Sequence, residues 1–352
     1  MTIHSGQSAQ DLSTQTGQVD HDLVTLMNDV FSDYTDHHPT SVNAALDREF
    51  WRRLDDLGLV RLTGAEDGGG SGADWRSAAE LLSAAVRHTV RVPLAEHDLL
   101  ACAALAECDL PVDGATRSVA ILDKQGTATY VPWASASDNV VTVFESDGKW
   151  LVADIPVAEL DITPHMNAIG EPRDHIAVDI SALSAVHAPE GLPDRLLLKS
   201  ALVRGIQVCA ALDQILELTV QHASVRTQFG RSLSRFQAIQ HLVADMAAEA
   251  ALARASTEAA LSAAVATDWA GTNLPFLVAV ARSCAGHAAS VVVRNAHQVH
   301  GAIGTTREHP LHHFTRAALT WRGEFGSVRY WDDVVGNAAL EAKGNLWELI
   351  TR

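Results

Sequence analysis

The sequence predicts a mainly α-helical protein with a central β-domain, in the order N-terminal helical domain, middle β-domain and C-terminal helical bundle. Three observations carry this. Early in the chain apolar residues recur at helical spacing, as in Phe50, Leu54 and Leu57 and again in Leu81, Leu82, Ala85 and Val86. From Thr116 the texture changes to short β-prone runs, SVAILD, ATYVPWAS, NVVTVFES, KWLVADIP and HIAVDIS, parted by polar turns. From Leu192 long alanine-rich helical stretches follow, a composition that favours helices and lets them approach closely.

Taken in order, residues 1–20 are polar and are expected to be a disordered N-terminus without the basic and apolar regions of a signal peptide. Residues 21–115 form the N-terminal helical domain, broken by turn-rich segments at Gly64 to Trp75 and Arg91 to Asp98. The glycine run Gly68-Gly69-Gly70-Ser71-Gly72 lacks a preceding strand and a following Lys-Ser/Thr, so it reads as a turn and not a phosphate loop. Residues 116–190 form the β-domain, where Ser146-Asp147-Gly148-Lys149 predicts a hairpin. Residues 191–352 form the bundle, in which Phe236, Ile239, Leu242, Val243, Met246 and Ala250 make one apolar stripe.

A formal net charge of −17 argues against a nucleic-acid groove or an anionic membrane surface, since both attract clustered Lys and Arg. No apolar run is read as long enough to insert in a membrane. Cys102, Cys108, Cys209 and Cys284 have no CxxC spacing and sit among Ala and Leu, which predicts free thiols in a reducing cytoplasm.

Two segments carry candidate chemistry. In VRTQFGRSLSRFQAIQHLVADM, Arg226 can clamp a phosphate and Phe229 can stack on a ring, with Gln228 and Gly230 beside them; a plain helix–helix connection ending in a capping glycine explains the same spacing. In NAHQVHGAIGTTREHPLHHFTR, Gly301 and Gly304 let backbone amides approach a ligand, and Gln298 can reach a base edge or carbonyl. His297, His300, His309, His312 and His313 lie here without an HExxH pattern or a Cys pair, so no metal site is expected.

These segments resemble the acyl-CoA dehydrogenases over nearly the whole chain from Phe50. FWRRLDDLGLVRLTGAEDGGGSG resembles the family's N-terminal turn, RTQFGRSLSRFQAIQHLVADM its Arg-x-x-Phe-Gly signature, and QVHGAIGTTREHPLHHFTR its Gln-x-x-Gly-Gly-x-Gly segment. The stretch from Gly301 to Arg316 is particularly similar to an actinobacterial branch acting on large CoA thioesters such as sterol side chains, many of whose members are heteromers with one degenerate subunit. The resemblance implies a β-barrel or sandwich in the middle, a C-terminal four-helix bundle, an FAD cofactor, an acyl-CoA substrate and a homo-oligomer or a hetero-oligomer with a homologous subunit. It also implies that Arg226 meets the FAD pyrophosphate, Gln228 and Phe229 its adenine side, and Gln298, Gly301 and Ala302 the same dinucleotide from another chain. Ala302 stands where the family has a second glycine, which one methyl tolerates if the local φ is negative.

The implied reaction is α,β-dehydrogenation, in which a carboxylate removes the proton next to the thioester carbonyl as hydride leaves the adjacent carbon. In TWRGEFGS the catalytic candidate is Glu324, yet an ungapped count from Gln298 puts the family's base position on Phe325 and Glu324 one residue early, about 100° away on a helix. The alternative position used by some members falls near Ser200, where no carboxylate occurs between Asp194 and Asp213. Trp133-Ala134-Ser135 is the one echo of the family's flavin-facing Trp segment. Three readings stand: an active dehydrogenase with Glu324 as base, a non-catalytic subunit lending half a flavin site, or a related scaffold with another oxidation or no flavin.

Overall fold

A computed structural model describes residues 19–38 and 41–351; the polar stretch before residue 19, expected to be disordered, lies outside them. Helices α1 (His21–His37), α2 (Arg48–Asp56) and α3 (Trp75–Arg87) open the chain. Each begins on an aspartate, Asp20, Asp47 and Asp74, whose carboxylate accepts first-turn N–H groups. The glycine-rich turn before α3 folds back on itself: a Cβ on Gly70 would stand 2.1 Å from the Gly64 carbonyl oxygen, so only glycine fits. A π-helical segment, Ala95–Cys102, then runs into α4 (Ala103–Glu107).

The middle domain is two sheets sharing a core of residues such as Val131, Val140, Phe144, Ile155 and Ile176. Its strands are β1 (Arg117–Ile121), β2 (Thr127–Pro132), β3 (Asn139–Ser146), β4 (Lys149–Pro156), β5 (Asp161–Thr163), β6 (Arg173–Ala177) and β7 (Val186–His187). One sheet has the order β1-β3-β4-β7 and the other β2-β6-β5. The β1–β3 pair is parallel and the other pairs are antiparallel. The predicted hairpin forms: Ser146 pairs with Lys149, and Asp147 and Gly148 take φ of 51° and 74°, the left-handed pair that matches strand twist.

The C-terminal region comprises α5 (Leu192–Val225), a hairpin of β8 (Thr227–Gln228) and β9 (Arg231–Ser232), α6 (Gln237–Ala266), α7 (Leu274–His300), α8 (Leu311–Trp321), α9 (Val328–Glu341) and α10 (Leu346–Thr351). The connection after α5 is thus a hairpin, and Gly230, with φ of 77°, is its turn residue and not a helix cap. Small residues fill the seams, with Ala211, Ala253, Ala285 and Ala288 packed around Leu212, Ile215 and Val292. Each fully buried Ile or Leu contributes about 1.5–3 kcal/mol.

One expectation is corrected. Only Met246 and Ala250 of the α6 stripe are buried; Phe236, Ile239, Leu242 and Val243, in the first turns of α6, are half-buried. Leu274–Thr305 is long and apolar enough to cross a membrane by length and composition, but it is interrupted by charges such as Arg282 and its apolar side chains Val278, Ala281, Ala285 and Val292 pack inside the bundle.

Candidate functional site

The segment TWRGEFGS is the turn from α8 to α9. Phe325 takes φ of 52° and Gly326 φ of 109°, two successive left-handed residues that reverse the chain before Ser327 caps α9 by accepting the Tyr330 N–H. Gly326 is obligatory on two counts, since a Cβ there would also lie 2.6 Å from Trp331 Nε1. Arg282, from the middle of α7, holds the turn from beneath. Its Nη2 donates to the carbonyls of Arg322 (3.0 Å) and Glu324 (2.8 Å), which the end of α8 leaves without helical partners.

This turn presents Glu324 to the junction of the three domains, where its carboxylate is fully engaged. Oε1 accepts from Asn167 Nδ2 (3.0 Å) and Arg173 Nε (2.9 Å), and Oε2 from Arg173 Nη2 (2.9 Å) and Arg204 Nε (2.7 Å). The pairs extend outward. Arg204 Nη2 donates to Glu96 (2.9 Å), Arg173 Nη2 to Glu171 (2.8 Å), and Trp321 Nε1 also to Glu171 (3.1 Å). Both arginine side chains are 2% exposed and Glu324 is 17% exposed.

Burial alone raises a carboxyl pKa, but Arg204 and Arg173 outweigh it here and hold Glu324 down at about 2. The same carboxylates raise Arg204 against its own burial, whereas burial and the Arg204 charge lower Arg282 to about 10. A carboxylate with a pKa near 2 is roughly a hundredfold or more weaker as a base than an ordinary glutamate. Each of its oxygens already accepts two hydrogen bonds, and Phe325 lies under the Arg204 guanidinium, 5.3 Å from ring centroid to Cζ. At the alternative position on α5, Ser200 is buried and its neighbour Lys199 is paired with Glu107 (2.8 Å).

The other candidates lie elsewhere. Arg226 caps α5, Gln228 pairs with Arg231 in the β8–β9 hairpin, and Phe229 stands with Gly230 at its tip, 91% exposed with φ of 51°. Among the described residues the Arg226 side chain has no hydrogen-bond or ion-pair partner. Gln298, Gly301 and Ala302 are exposed at the end of α7. Gly301 takes φ of 62° and ψ of −142°, a glycine-only conformation, with nothing within 4 Å of a built Cβ. Ala302 is not among the residues with positive φ, so its methyl is accommodated.

Helix rise separates the two regions. Gln298 stands 16 residues beyond Arg282 on α7, about 24 Å, and Arg226 lies 22 residues beyond Arg204 along α5, about 33 Å. The structure therefore gathers the six surface candidates at one end of the bundle and leaves Glu324 apart. Trp133 is buried with φ of 58°, and Ser135 N–H donates to Asp174 (2.7 Å). Arg316 donates to the Ala168 carbonyl and Arg322 to Ser290, which ties both to the protein.

Sequence reasoning missed Asn167, Glu171, Arg173, Arg204, Glu96 and Arg282. A signal existed for two of them: Arg204 and Arg282 are isolated charges inside apolar helical runs, and a buried charge demands a partner.

A mostly helical chain with a two-sheet middle domain and these signatures defines an acyl-CoA dehydrogenase-type protein. Residues 195–328 match the family model "Acyl-CoA dehydrogenase, C-terminal domain". The acyl-CoA dehydrogenase IpdE2 of Mycobacterium tuberculosis is 30% identical over 298 residues, 79% of this chain and 85% of that protein. The chain belongs to the acyl-CoA dehydrogenase family. Acyl-CoA dehydrogenase FadE34 of M. tuberculosis is 28% identical over 307 residues, 82% of this chain, and the match spans only 42% of FadE34's own length. The crystal structure of the ChsE4-ChsE5 complex from M. tuberculosis shares the fold, with a TM-score of 0.81 at 22% identity over 92% of this chain and 98% of that one.

Proposed function

We propose that this chain works in the α,β-dehydrogenation of an acyl-CoA thioester as a subunit that lends half of a shared FAD site and carries no catalytic base. The observation that carries this reading is Glu324 pinned between Arg173 and Arg204, with Phe325 at the position where the family keeps its base. A base must hold a lone pair free toward its substrate, and every strong acceptor direction of this carboxylate is taken.

The surface end of the bundle fits a dinucleotide held between chains. Arg226 offers an uncommitted guanidinium to the pyrophosphate, Phe229 an exposed ring face to the adenine, and the backbone at Gly301 and Ala302 an open approach beside Gln298. The 24–33 Å separation from Glu324 supports two chains, because the short ribityl linker cannot bring one flavin to both regions of a single chain. Bound FAD supplies the acceptor for the hydride that leaves the substrate. The base and carbonyl-polarising groups then come from a homologous partner, as the likeness to the ChsE4-ChsE5 complex supports. The four free cysteines support a reducing, cytoplasmic location.

Purifying the chain alone and with its co-expressed homologue tests this. Flavin absorbance and dye reduction by acyl-CoA are expected only in the complex. There Arg226→Ala should strip flavin, while Glu324→Gln should leave the turnover per bound flavin unchanged. A yellow chain that turns over alone and dies in Glu324→Gln overturns the proposal.

A further inference from the structure

At the other end of the bundle from Glu324 three imidazoles converge: His222 on the last turn of α5, His300 at the end of α7, and His309 on the loop entering α8. The His222 and His300 rings stack at 4.5 Å and 26°, and His309 meets His300 edge-on at 4.7 Å and 72°. One ring nitrogen from each lies within 4.8 Å of the other two.

Their hydrogen bonds leave lone pairs facing inward. His300 is 5% exposed; its Nδ1–H donates to the Ala296 carbonyl (2.8 Å), which places the lone pair on Nε2, and Nε2 is buried without a partner. An orphaned buried acceptor costs about 1–3 kcal/mol, a cost that a ligand accepting the Nε2 lone pair relieves. The ring of His222 has no hydrogen bond among the described residues. His309 Nδ1 accepts a long bond (3.2 Å) from Leu311 N–H, a first-turn group of α8 that water can satisfy once the ring turns.

We propose that His222, His300 and His309 form a site for a divalent transition metal of the zinc class, tying the ends of α5 and α7 to the loop before α8. Three nitrogen donors with no carboxylate select zinc, cobalt, nickel or copper over magnesium or calcium. Tetrahedral coordination sets nitrogens about 3.3 Å apart, so the half-exposed His222 and His309 rings close inward on the metal, with water as the remaining ligand. Burial, with repulsion from neighbouring imidazoles, keeps all three below their usual pKa, His300 at about 4, which leaves them neutral and ready to ligate. The sequence hid this site because His222 stands 78 positions before His300. The site depends on this chain alone and stands whether or not the chain carries flavin.

Tag-free full-length chain, with any subunit that co-purifies, is stripped with chelator and titrated with Co2+, then Zn2+. About one equivalent per chain is expected to bind with the intense visible bands of a four-coordinate site, and zinc should displace it. His222→Gln and His309→Gln, at half-exposed positions that leave the core intact, should weaken binding about 10–100-fold with unchanged circular dichroism, whereas His312→Gln and His165→Gln should not. Absence of the visible bands, or binding that survives both site variants, overturns the proposal.

Discussion

Glu324 and Arg204 show how a carboxylate presented by a turn becomes a fastening between elements. Removing one partner of a buried ion pair leaves the other uncompensated, so Glu324→Gln is expected to cost about 3–5 kcal/mol in urea unfolding at neutral pH. A double-mutant cycle with Arg204→Met should return a coupling of about 0.5–3 kcal/mol. The pH dependence has a defined sign. The Glu324 carboxyl is held at about 2, below its ordinary 4.5, so its contribution is complete above pH 4.5 and is lost as pH falls toward 2. Stability between pH 5 and 3 should therefore fall more steeply in the wild type than in Glu324→Gln, and equal slopes would contradict the ion-pair account.

Among the elements, the turns make the sharpest contrasts. Gly70→Ala forces a methyl into the Gly64 backbone and is expected to destabilise by about 1–3 kcal/mol or more. Gly336→Ala, inside α9 with open space at its Cβ, should stabilise by about 1 kcal/mol in the same unfolding assay. The hairpin at Asp147-Gly148 was legible because its φ requirement is written in two adjacent residues. The α6 stripe was only half legible: periodicity shows which face is apolar, but what covers it depends on partners that periodicity does not reveal. The ion network was not legible as a unit, since its members range from Glu96 to Glu324 and meet only where three domains join.

For the molecule as a whole, the order of helices, strands and helices followed from texture, because each element type has its own period. The surface end of the bundle invites a direct check. Phe229→Ala and Arg226→Ala change exposed side chains and should leave the unfolding free energy within about 0.5 kcal/mol of wild type while lowering flavin content in the complex. An equal loss of stability and flavin would mean that the hairpin supports the fold and not the ligand.

The interior charges at the domain junction also bear on when the chain can be made. Glu96, Glu171 and Glu324 face Arg173 and Arg204, with Arg282 spread over backbone carbonyls of the same turn, so three negative charges balance three positive ones without outside help. A protein whose buried arginines waited for a cofactor's phosphates would fold poorly until that cofactor arrived. Here the buried charges balance one another within the chain, so in the reading proposed above a second subunit and a dinucleotide are not needed to neutralise this junction.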